Sequence, residues 1–387
     1  MTTKIFGGRV ILSDRIEYGK SIYIRDGRIT AITEEALAFD HAIDAKGNYV
    51  SPGLIDLHVH GAVDCDFADG CAESVIKAAN YHAAHGTTTI LPTVTSVSYE
   101  EICKALEAIR TASRAEALIP NIIGVHLEGP YFSKKQCGAQ NPDQITSPVK
   151  ADYQRLLQSF GDVIKRWSFA PELEGSAEFL DSLSAYGVIP SIGHSDALYE
   201  DVMMAYEHGC RLITHFYSCT STVTREKGFR RLGVVESGYL LDDVAVETIA
   251  DGCHLPRELF SLIYKIKGRD HICLVSDAMS CCGSEKEIAS IGGVPCKIKN
   301  GVAYLMDESA FAGSIASADR LLRFCVKEVG LSLPDTVTMM SETPARVMGL
   351  KRKGRLASDY DADILIFDEN INIKNVMVNG KEVFKND

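Results

Sequence analysis

Two hydrophobic patterns alternate along the middle of this 387-residue chain. Short runs rich in Ile, Leu and Val, such as 54–59 and 272–275, are typical of buried strands. Between these runs, apolar residues recur every three or four positions, which is typical of helices that bury one face. The pattern predicts strands at 54–60, 88–94, 122–128, 167–170, 188–194, 212–217, 244–250 and 272–277. It predicts helices at 72–84, 99–113, 176–186, 197–208 and 256–267.

The two ends of the chain have a different pattern, in which short strands are joined by tight turns. Asp26-Gly27 and Asn379-Gly380 each separate two runs of strand-forming residues, and both dipeptides favour hairpin turns. Neither end contains enough strands for a stable sheet by itself. We therefore expect residues 1–52 and 354–387 to form one small β-domain, with a second domain at 53–353 inserted between them.

Eight strands that alternate with helices predict an α/β fold, either a (β/α)8 barrel or a doubly wound open sheet. The β-rich ends and the positions of polar residues favour the barrel. With 46% hydrophobic and 24% charged residues, the chain has the composition of a globular protein, which excludes disorder, collagen and coiled coil.

Net charge and cysteine content narrow the choice of partners and compartment. A formal net charge of -12 argues against binding to nucleic acid or to an anionic membrane. The longest apolar runs are too short to span a bilayer, and the first residues lack the apolar segment of a signal peptide. Because the 12 cysteines occur without such a signal, we expect reduced thiols and a cytoplasmic protein.

Polar residues occupy the carboxyl ends of the predicted strands. In a barrel these ends meet at one mouth, where active sites lie. The recurrence of metal-binding and acid–base side chains at these ends therefore indicates a functional site. The residues are His58, His60, Glu128, His194, His215 and Asp277, with His254 just after the seventh strand.

Five of these residues have the chemistry of metal ligands. His58 and His60 are two positions apart on one strand, so their imidazoles face the same way and can bind one ion. An isolated pair of this type is more often hydrogen-bonded and partly buried, but these two precede further histidines at other strand ends. Glu128 ends an apolar strand, where it can ligate or bridge metal ions. His194 and His215 complete the expected ligand set.

Asp277 ends the last predicted strand and is the candidate acid and base. A carboxylate beside a metal-activated water can take the proton of that water and later deliver it to a leaving nitrogen. Two other histidines are expected in different surroundings. His126 shares the strand face of Glu128 and is a candidate for supporting a ligand, whereas His82 is expected at the solvated face of a helix.

A series of short motifs runs in order along nearly the whole chain. It begins with Pro52-Gly-Leu-Ile-Asp-Leu-His-Val-His-Gly61, which resembles the opening metal motif of the amidohydrolase superfamily. The motifs that follow are His126-Leu-Glu-Gly-Pro130, Gly193-His-Ser195, Thr214-His215, Asp251-Gly-Cys-His254, Ser276-Asp-Ala278, Ala312-Gly-Ser314, Gly354-Arg-Leu356 and Asp361-Ala-Asp-Ile-Leu-Ile-Phe367. As a set they resemble the N-acetylglucosamine-6-phosphate deacetylases. The resemblance implies a distorted (β/α)8 TIM barrel with a small β-sandwich built from both ends.

The resemblance also implies roles for individual residues. Glu128, His194 and His215 match the family's main metal ligands. Asp277 matches its catalytic acid and base, and His254 matches a histidine that contacts the substrate.

The resemblance further implies a partner subunit and a metal content. Arg225 matches an arginine that reaches the substrate phosphate across a dimer interface, so we expect a homodimer. Some family members lack the His-x-His pair and hold one ion, whereas others have it and hold two. Because this chain has the pair, we expect two divalent ions bridged by Glu128. Such ligands suit zinc, iron, manganese or cobalt alike.

The chain departs from the family pattern in two places. Where the family has a His that helps to polarise the acetyl carbonyl, this chain has Gln140, which donates a hydrogen bond but cannot become a cation. Ser218 and Cys219 replace the usual Asn-Ala, in a region that contacts the sugar phosphate in relatives. We expect all three residues to bind substrate, and their departure leaves a related acylated amino sugar open as the substrate.

The sequence thus predicts metal-dependent hydrolysis of N-acetylglucosamine 6-phosphate to glucosamine 6-phosphate and acetate. N-acetylgalactosamine 6-phosphate or another acylated amino sugar is an alternative substrate. A cyclic-amide hydrolase is a second class, but such enzymes commonly bridge two metals with a carboxylated lysine, whereas the matching strands here offer Glu128. A catalytically silent sugar-phosphate sensor is a third class, and it would not need a water-activating metal beside Asp277.

Overall fold

The computed structural model describes residues 1–386. Its centre is a sheet of parallel strands in which each strand pairs with the next along the chain. We number them β1 (Leu54–Val59), β2 (Thr87–Val94), β3 (Val125–Glu128), β4 (Ile164–Phe169), β5 (Ile189–Ile192), β6 (Leu212–Ile213), β7 (Ala245–Ile249) and β8 (Ile272–Val275).

Hydrogen bonds between the chain at β1 and at β8 bring the two ends of this sheet together. The Asp277 N–H donates to the His58 carbonyl oxygen at 2.9 Å, and the Ser276 N–H donates to the Asp56 carboxylate at 3.2 Å. The sheet is therefore a nearly closed eight-stranded barrel, which confirms the predicted fold class and excludes the open doubly wound sheet.

Helices pack against the barrel strands, and along the chain most barrel strands are followed by a helix. The helix Tyr99–Ala112 shows why they form where they do: Ser98 and Glu101 make a capping box at its start, and Ile102, Leu106 and Ile109 bury one face. The other helices are Ala72–Ala84, Lys150–Phe160, Ser176–Ala185, Tyr199–Glu207, Val234–Leu240, Arg257–Lys267, Ala318–Arg323, Leu333–Met340 and Glu342–Val347. Single helical turns at Lys134–Gln136 and Arg269–His271 and a π-helical turn at Phe324–Val329 complete the helical structure.

The two ends of the chain form two further sheets that face each other. In strand order, one sheet contains Arg28–Thr33, Ser21–Arg25, Thr2–Phe6 and His41–Asp44. The other contains Lys381–Lys385, Ile373–Val378, Ile364–Phe367, Tyr49–Pro52, Arg9–Ile11 and Ile16–Glu17, so amino-terminal and carboxyl-terminal strands share it. Ile22 and Ile24 of the first sheet share a buried core with Val50 and Ile364 of the second, which makes the pair a β-sandwich.

One sheet was not predicted. After β8 the chain forms four antiparallel strands, Ile288–Ile291, Val294–Lys299, Val302–Leu305 and Phe311–Ser314. We call this small sheet the flap, because its first and last strands reach the mouth of the barrel. Short pairings at Gly61–Ala62 with Cys65–Asp66, at Thr224–Glu226 with Phe229–Arg231, and at Asn121–Ile122 with β2 complete the strands.

Candidate active site

The carboxyl ends of the barrel strands bring together the polar side chains that the sequence placed there. They form two adjoining groups, each able to direct one nitrogen or oxygen atom per residue to a common point. Every member is buried. One group is His58, His60 and Asp277, and the other is Glu128, His194 and His215.

Backbone geometry turns three of these side chains into the mouth. His194, His215 and Asp277 have φ angles of 46°, 23° and 47°, in the left-handed region that residues with a side chain seldom adopt. Such conformations persist only where the surrounding structure enforces them, and they concentrate at functional sites. Each of the three follows the last residue of a short barrel strand, so the unusual turn ends the strand and presents the side chain.

Glu128 lies between the two groups and contacts both. Its Oε1 atom is 3.2 Å from Nε2 of His194, 3.1 Å from Nε2 of His215 and 3.3 Å from Nε2 of His58. Its Oε2 atom is 3.3 Å from Nε2 of His60. The two oxygens of this carboxylate thus reach histidines of both groups, which is the arrangement a bridging ligand requires.

Two of the four histidines are oriented by a backbone carbonyl group at Nδ1, the ring nitrogen that faces away from Glu128. Nδ1 of His194 is 2.9 Å from the Gln136 carbonyl oxygen, and Nδ1 of His215 is 3.0 Å from that of Ser218. A carbonyl oxygen only accepts, so both Nδ1 atoms donate, and the Nε2 atoms that face Glu128 are the ones available to ligate an ion. This second hydrogen bond is typical of metal-binding histidines. The donor set therefore fits a divalent cation.

Neighbouring carboxylates and histidines shift one another's pKa values in the site. Burial alone depresses the pKa of His58 and of His60, but the neighbouring carboxylates of Asp277 and Glu128 outweigh burial and raise these pKa values to about 9 and about 10. Burial raises the pKa of Glu128, yet the surrounding histidines, with His58 the strongest, hold that pKa well below its usual range. The clustered carboxylates thus require positive charge beside them.

The two groups open into a cavity of about 220 Å³. Gln140, Ser218, Cys219 and His254, which were expected to bind substrate, all line it. None of the side chains that line it, within residues 1–386, is a lysine. Other lining residues come from the flap, among them Ile291, Ala310, Phe311, Ala312 and Gly313.

Two of the cavity side chains are held rigidly. The Gln140 oxygen accepts from the Thr95 hydroxyl at 2.8 Å and from the Ser96 N–H at 3.0 Å, and its amide nitrogen donates to Oε2 of Glu128 at 2.7 Å. Nδ1 of His254 is 2.8 Å from the Asp251 carboxylate. Gln140 therefore fixes the orientation of the carboxylate between the two groups, and one amide hydrogen remains for the cavity.

Of the predicted site residues, Arg225 alone belongs neither to the two buried groups nor to the lining of the cavity. It belongs to the exposed hairpin Thr224–Glu226 with Phe229–Arg231, and it is not among the residues that line the mouth. A role for Arg225 at the phosphate therefore requires a second subunit, and it stays a prediction.

Sequence reasoning missed part of the surroundings of the site. Arg166 and Glu247 are fully buried inside the barrel, and Glu247 contacts His58. His126, by contrast, was a candidate for supporting a ligand, and it packs against the His58 ring with centroids 4.7 Å apart. The expectation for His82 was wrong: it is buried, and its Nε2 atom lies 2.9 Å from the Gly61 carbonyl oxygen. Spacing along the helix gave the signal, because Val75, His82 and the buried alanines between them recur on one face.

Fold and site together define a (β/α)8 protein with a candidate divalent-metal centre at the barrel mouth. Residues 49–383 match the model of the amidohydrolase family. N-acetylglucosamine-6-phosphate deacetylase from Lysinibacillus sphaericus is 31% identical over 362 residues, which cover 93% of this chain and 92% of that protein.

Solved structures give the same result. The crystal structure of N-acetylglucosamine-6-phosphate deacetylase from Pasteurella multocida superposes with a TM-score of 0.93 at 25% identity and covers 100% of both chains. A mutant of the Mycobacterium smegmatis enzyme in complex with N-acetyl-D-glucosamine-6-phosphate gives a TM-score of 0.90 at 25% identity, over 99% of this chain and 98% of that one. The chain therefore belongs to the amidohydrolase family and, within it, to the N-acetylglucosamine-6-phosphate deacetylase family.

Within residues 1–386, no helix combines the length and the apolar character needed to cross a membrane. The cytoplasmic location stays a prediction from the sequence.

Proposed function

We propose that this protein hydrolyses N-acetylglucosamine 6-phosphate to glucosamine 6-phosphate and acetate with the help of divalent metal. The observation that carries the proposal is the position of Glu128 between two groups of metal-type ligands, beside Asp277, at the floor of a small cavity. The names of the relatives support the substrate, because those that match nearly the whole chain are deacetylases of this sugar phosphate.

His58, His60 and Asp277 would hold one ion, and His194 and His215 would hold a second, with Glu128 shared between them. A divalent ion at such a site lowers the pKa of water to about 7 and polarises a carbonyl group. Zinc, iron, manganese and cobalt all suit these ligands.

Asp277 is the proposed acid and base. Its Oδ1 atom is 3.3 Å from Nε2 of His58 and 3.2 Å from Nε2 of His60. Although burial raises the pKa of Asp277, the two histidines lower it below its usual value, so the carboxylate is ionised at neutral pH, the form that can accept a proton. The proton would then pass to the amine nitrogen as the bond between that nitrogen and the acetyl carbon breaks.

The remaining cavity residues would bind the substrate. Gln140 has one amide hydrogen available for the acetyl oxygen, and His254, Ser218 and Cys219 would contact the sugar phosphate. Arg225 would bind the phosphate of the partner subunit's substrate in a homodimer, since its guanidinium can form forked hydrogen bonds with phosphate. A substitution Arg225→Ala should then raise KM for the phosphorylated sugar and leave kcat nearly unchanged.

The galacto epimer is the second candidate substrate, because Ser218 and Cys219 differ from the residues usual in the family. A cyclic-amide hydrolase is not favoured, since the described residues place no lysine in the cavity lining where a carboxylated lysine would bridge the metals.

Acetate release by the purified protein tests the proposal, with and without a chelator. The substrates are N-acetylglucosamine 6-phosphate, its galacto epimer and unphosphorylated N-acetylglucosamine. We expect release from the first that stops on chelation and returns with added metal. No release from any of the three by metal-loaded protein would contradict the proposed function, while release from the epimer alone would change only the substrate.

A further inference from the structure

The interior of the barrel holds a buried ion pair below the candidate metal site. Arg166 extends from β4 and Glu247 from β7, and both side chains are 0% exposed. Nη2 of Arg166 donates to Oε2 of Glu247 at 2.9 Å, and Nη1 makes a second contact with Oε1. The two parallel contacts are the geometry in which an arginine and a carboxylate interact most strongly.

The other donors of Arg166 are also satisfied. Nε donates to the Ser191 hydroxyl at 3.0 Å, Nη2 to the Thr214 hydroxyl at 2.9 Å and Nη1 to the Leu57 carbonyl oxygen at 3.1 Å. The guanidinium therefore links three strands to the carboxylate on β7 and leaves Glu247 little freedom to move.

Glu247 in turn contacts both groups of candidate ligands. Its Oε2 atom is 3.3 Å from Nδ1 of His58 and 3.4 Å from the backbone nitrogen of His215. An ionised carboxylate only accepts, so Nδ1 of His58 donates to Glu247, and Nε2 of His58, which faces Glu128 and Asp277, is the atom available to ligate an ion. The two parallel contacts with the Arg166 guanidinium, which is always a cation, keep the Glu247 carboxylate in its ionised form.

Stability alone gives no reason for this pair. A buried ion pair is often no better than well-packed hydrophobic residues of similar volume, because both charges lose their hydration. Elsewhere among the same barrel strands, aliphatic residues such as Leu57, Leu91 and Val275 fill the space. The pair is placed where it contacts His58.

We propose that Arg166 and Glu247 are positioning residues that hold His58 in the orientation and tautomer needed to bind the ion of the His58–His60–Asp277 group. The inference rests on the proposed two-ion function. Carboxylates behind a metal-binding histidine typically contribute a factor of about 10–100 in metal affinity. Removing the pair should therefore weaken the binding of the ion at the His58–His60–Asp277 group. Binding of the other ion should not change, because its histidines are oriented by backbone carbonyl groups.

The test measures metal content, independently of activity. Purified wild type, Glu247→Gln and the charge-compensated double variant Arg166→Met/Glu247→Leu are titrated with Co²⁺, and bound metal is counted per chain. The double variant avoids leaving one unpaired buried charge, so it remains informative if Glu247→Gln folds poorly. Asp363→Asn is the matched control: the buried Asp363 pairs with the half-buried Lys353 at 2.6 Å, away from the cavity lining.

We expect wild type and Asp363→Asn to bind two ions per chain. The variants at Glu247 should bind one ion as before and the second about 10–100-fold more weakly. Their kcat should fall at limiting metal and recover in excess metal, with KM little changed. If both Glu247 variants bind two ions as tightly as wild type, the positioning role is wrong while the proposed function stands. If wild type binds a single ion, the inference and the two-ion site both fail, and acetate release still decides the reaction.

Discussion

The core of the terminal β-sandwich and the part of the barrel interior around His58 are equally buried but are built from opposite kinds of residue. In the sandwich, Ile22 and Ile29 are 0% exposed and contact other aliphatic side chains. In the barrel, Arg166, Glu247 and His58 are also 0% exposed, yet each carries or can carry a charge. Burial alone therefore does not distinguish the two regions, whereas the chemistry of the buried atoms does.

The difference has an energetic meaning. Each Å² of buried apolar surface contributes roughly 25 cal/mol to stability without requiring a particular partner. Buried charges stabilise a fold only when every partner is in place, and they often do no better than aliphatic residues. Substitutions in the sandwich should therefore change the free energy of unfolding, and substitutions in the barrel mouth should change catalysis.

The largest effect is expected at Asp277. Asp277→Asn keeps the size of the side chain but removes the proton acceptor, so kcat should fall by about 10²–10⁴-fold, the usual contribution of general acid–base catalysis. Steady-state acetate release measures the loss. Metal bound by Glu128, His194 and His215 should be retained, and elemental analysis serves as the control. A variant with nearly full activity would contradict the role of Asp277.

The corresponding substitution in the sandwich tests stability instead of catalysis. Ile22→Ala should lower the free energy of unfolding by about 2–5 kcal/mol, because it removes buried methyl groups and leaves a cavity. Denaturant unfolding measures this effect, and Ile22→Val should cost about 0.5–1.5 kcal/mol at the same position. Neither variant should change kcat per folded molecule. A fall in kcat with the fold intact would show that the sandwich also shapes the active site.

The hydrophobic pattern located some strands more accurately than others. Hydrophobic runs placed β1 and β8 within two residues of their observed bounds, because apolar residues predominate in both strands up to the site. The run at 212–217 was predicted as a strand, but β6 contains only Leu212–Ile213. His215 and Tyr217 have positive φ angles, and local composition does not reveal such tertiary strain.

Two omissions have different physical reasons. Asn300-Gly301 lies between two strands of the flap, and this dipeptide is a hairpin signal that was available in the sequence. The pair Arg166–Glu247 could not be found in this way, since the residues are 81 positions apart and only the closed barrel brings them together. Candidate ligands were easier to find because each ends a strand and all strand ends meet at one mouth.

Removal of the metal should make the stability of the folded protein depend on pH through the histidines of the barrel mouth. In metal-free protein, carboxylates outweigh burial and raise the pKa of His58 to about 9 and that of His60 to about 10, against about 6.5 in an unfolded chain. A raised pKa stabilises the fold fully below pH about 6.5, and this stability is lost as pH rises through about 9–10. Thermal unfolding of chelator-treated protein should therefore show a melting temperature that falls over this range.

Two controls sharpen this result. Metal-loaded protein should show a smaller fall, because bound cations replace the protonated histidines beside the carboxylates and stabilise the folded state. Chelated Ile22→Ala should show the same pH dependence as chelated wild type, shifted to lower temperature. Equal pH dependence of metal-free and metal-loaded protein would contradict the assignment of the stabilising charge to these histidines.

The smallest effect is expected on the outer shell of the barrel, at Ser98. Its hydroxyl accepts from the Glu101 N–H at 3.3 Å, and the Glu101 carboxylate accepts from the Ser98 N–H at 2.9 Å. Ser98→Ala removes one half of this capping box and should cost about 0.5–2 kcal/mol of stability, measured by denaturant unfolding, with kcat unchanged. Such a result would show that the outer helices, like the sandwich, contribute to stability and not to catalysis. The residues that affect kcat would then be confined to the inside of the barrel, and the barrel helices would be separate from them. A loss of kcat with full folding would instead extend the functional region to the helix Tyr99–Ala112.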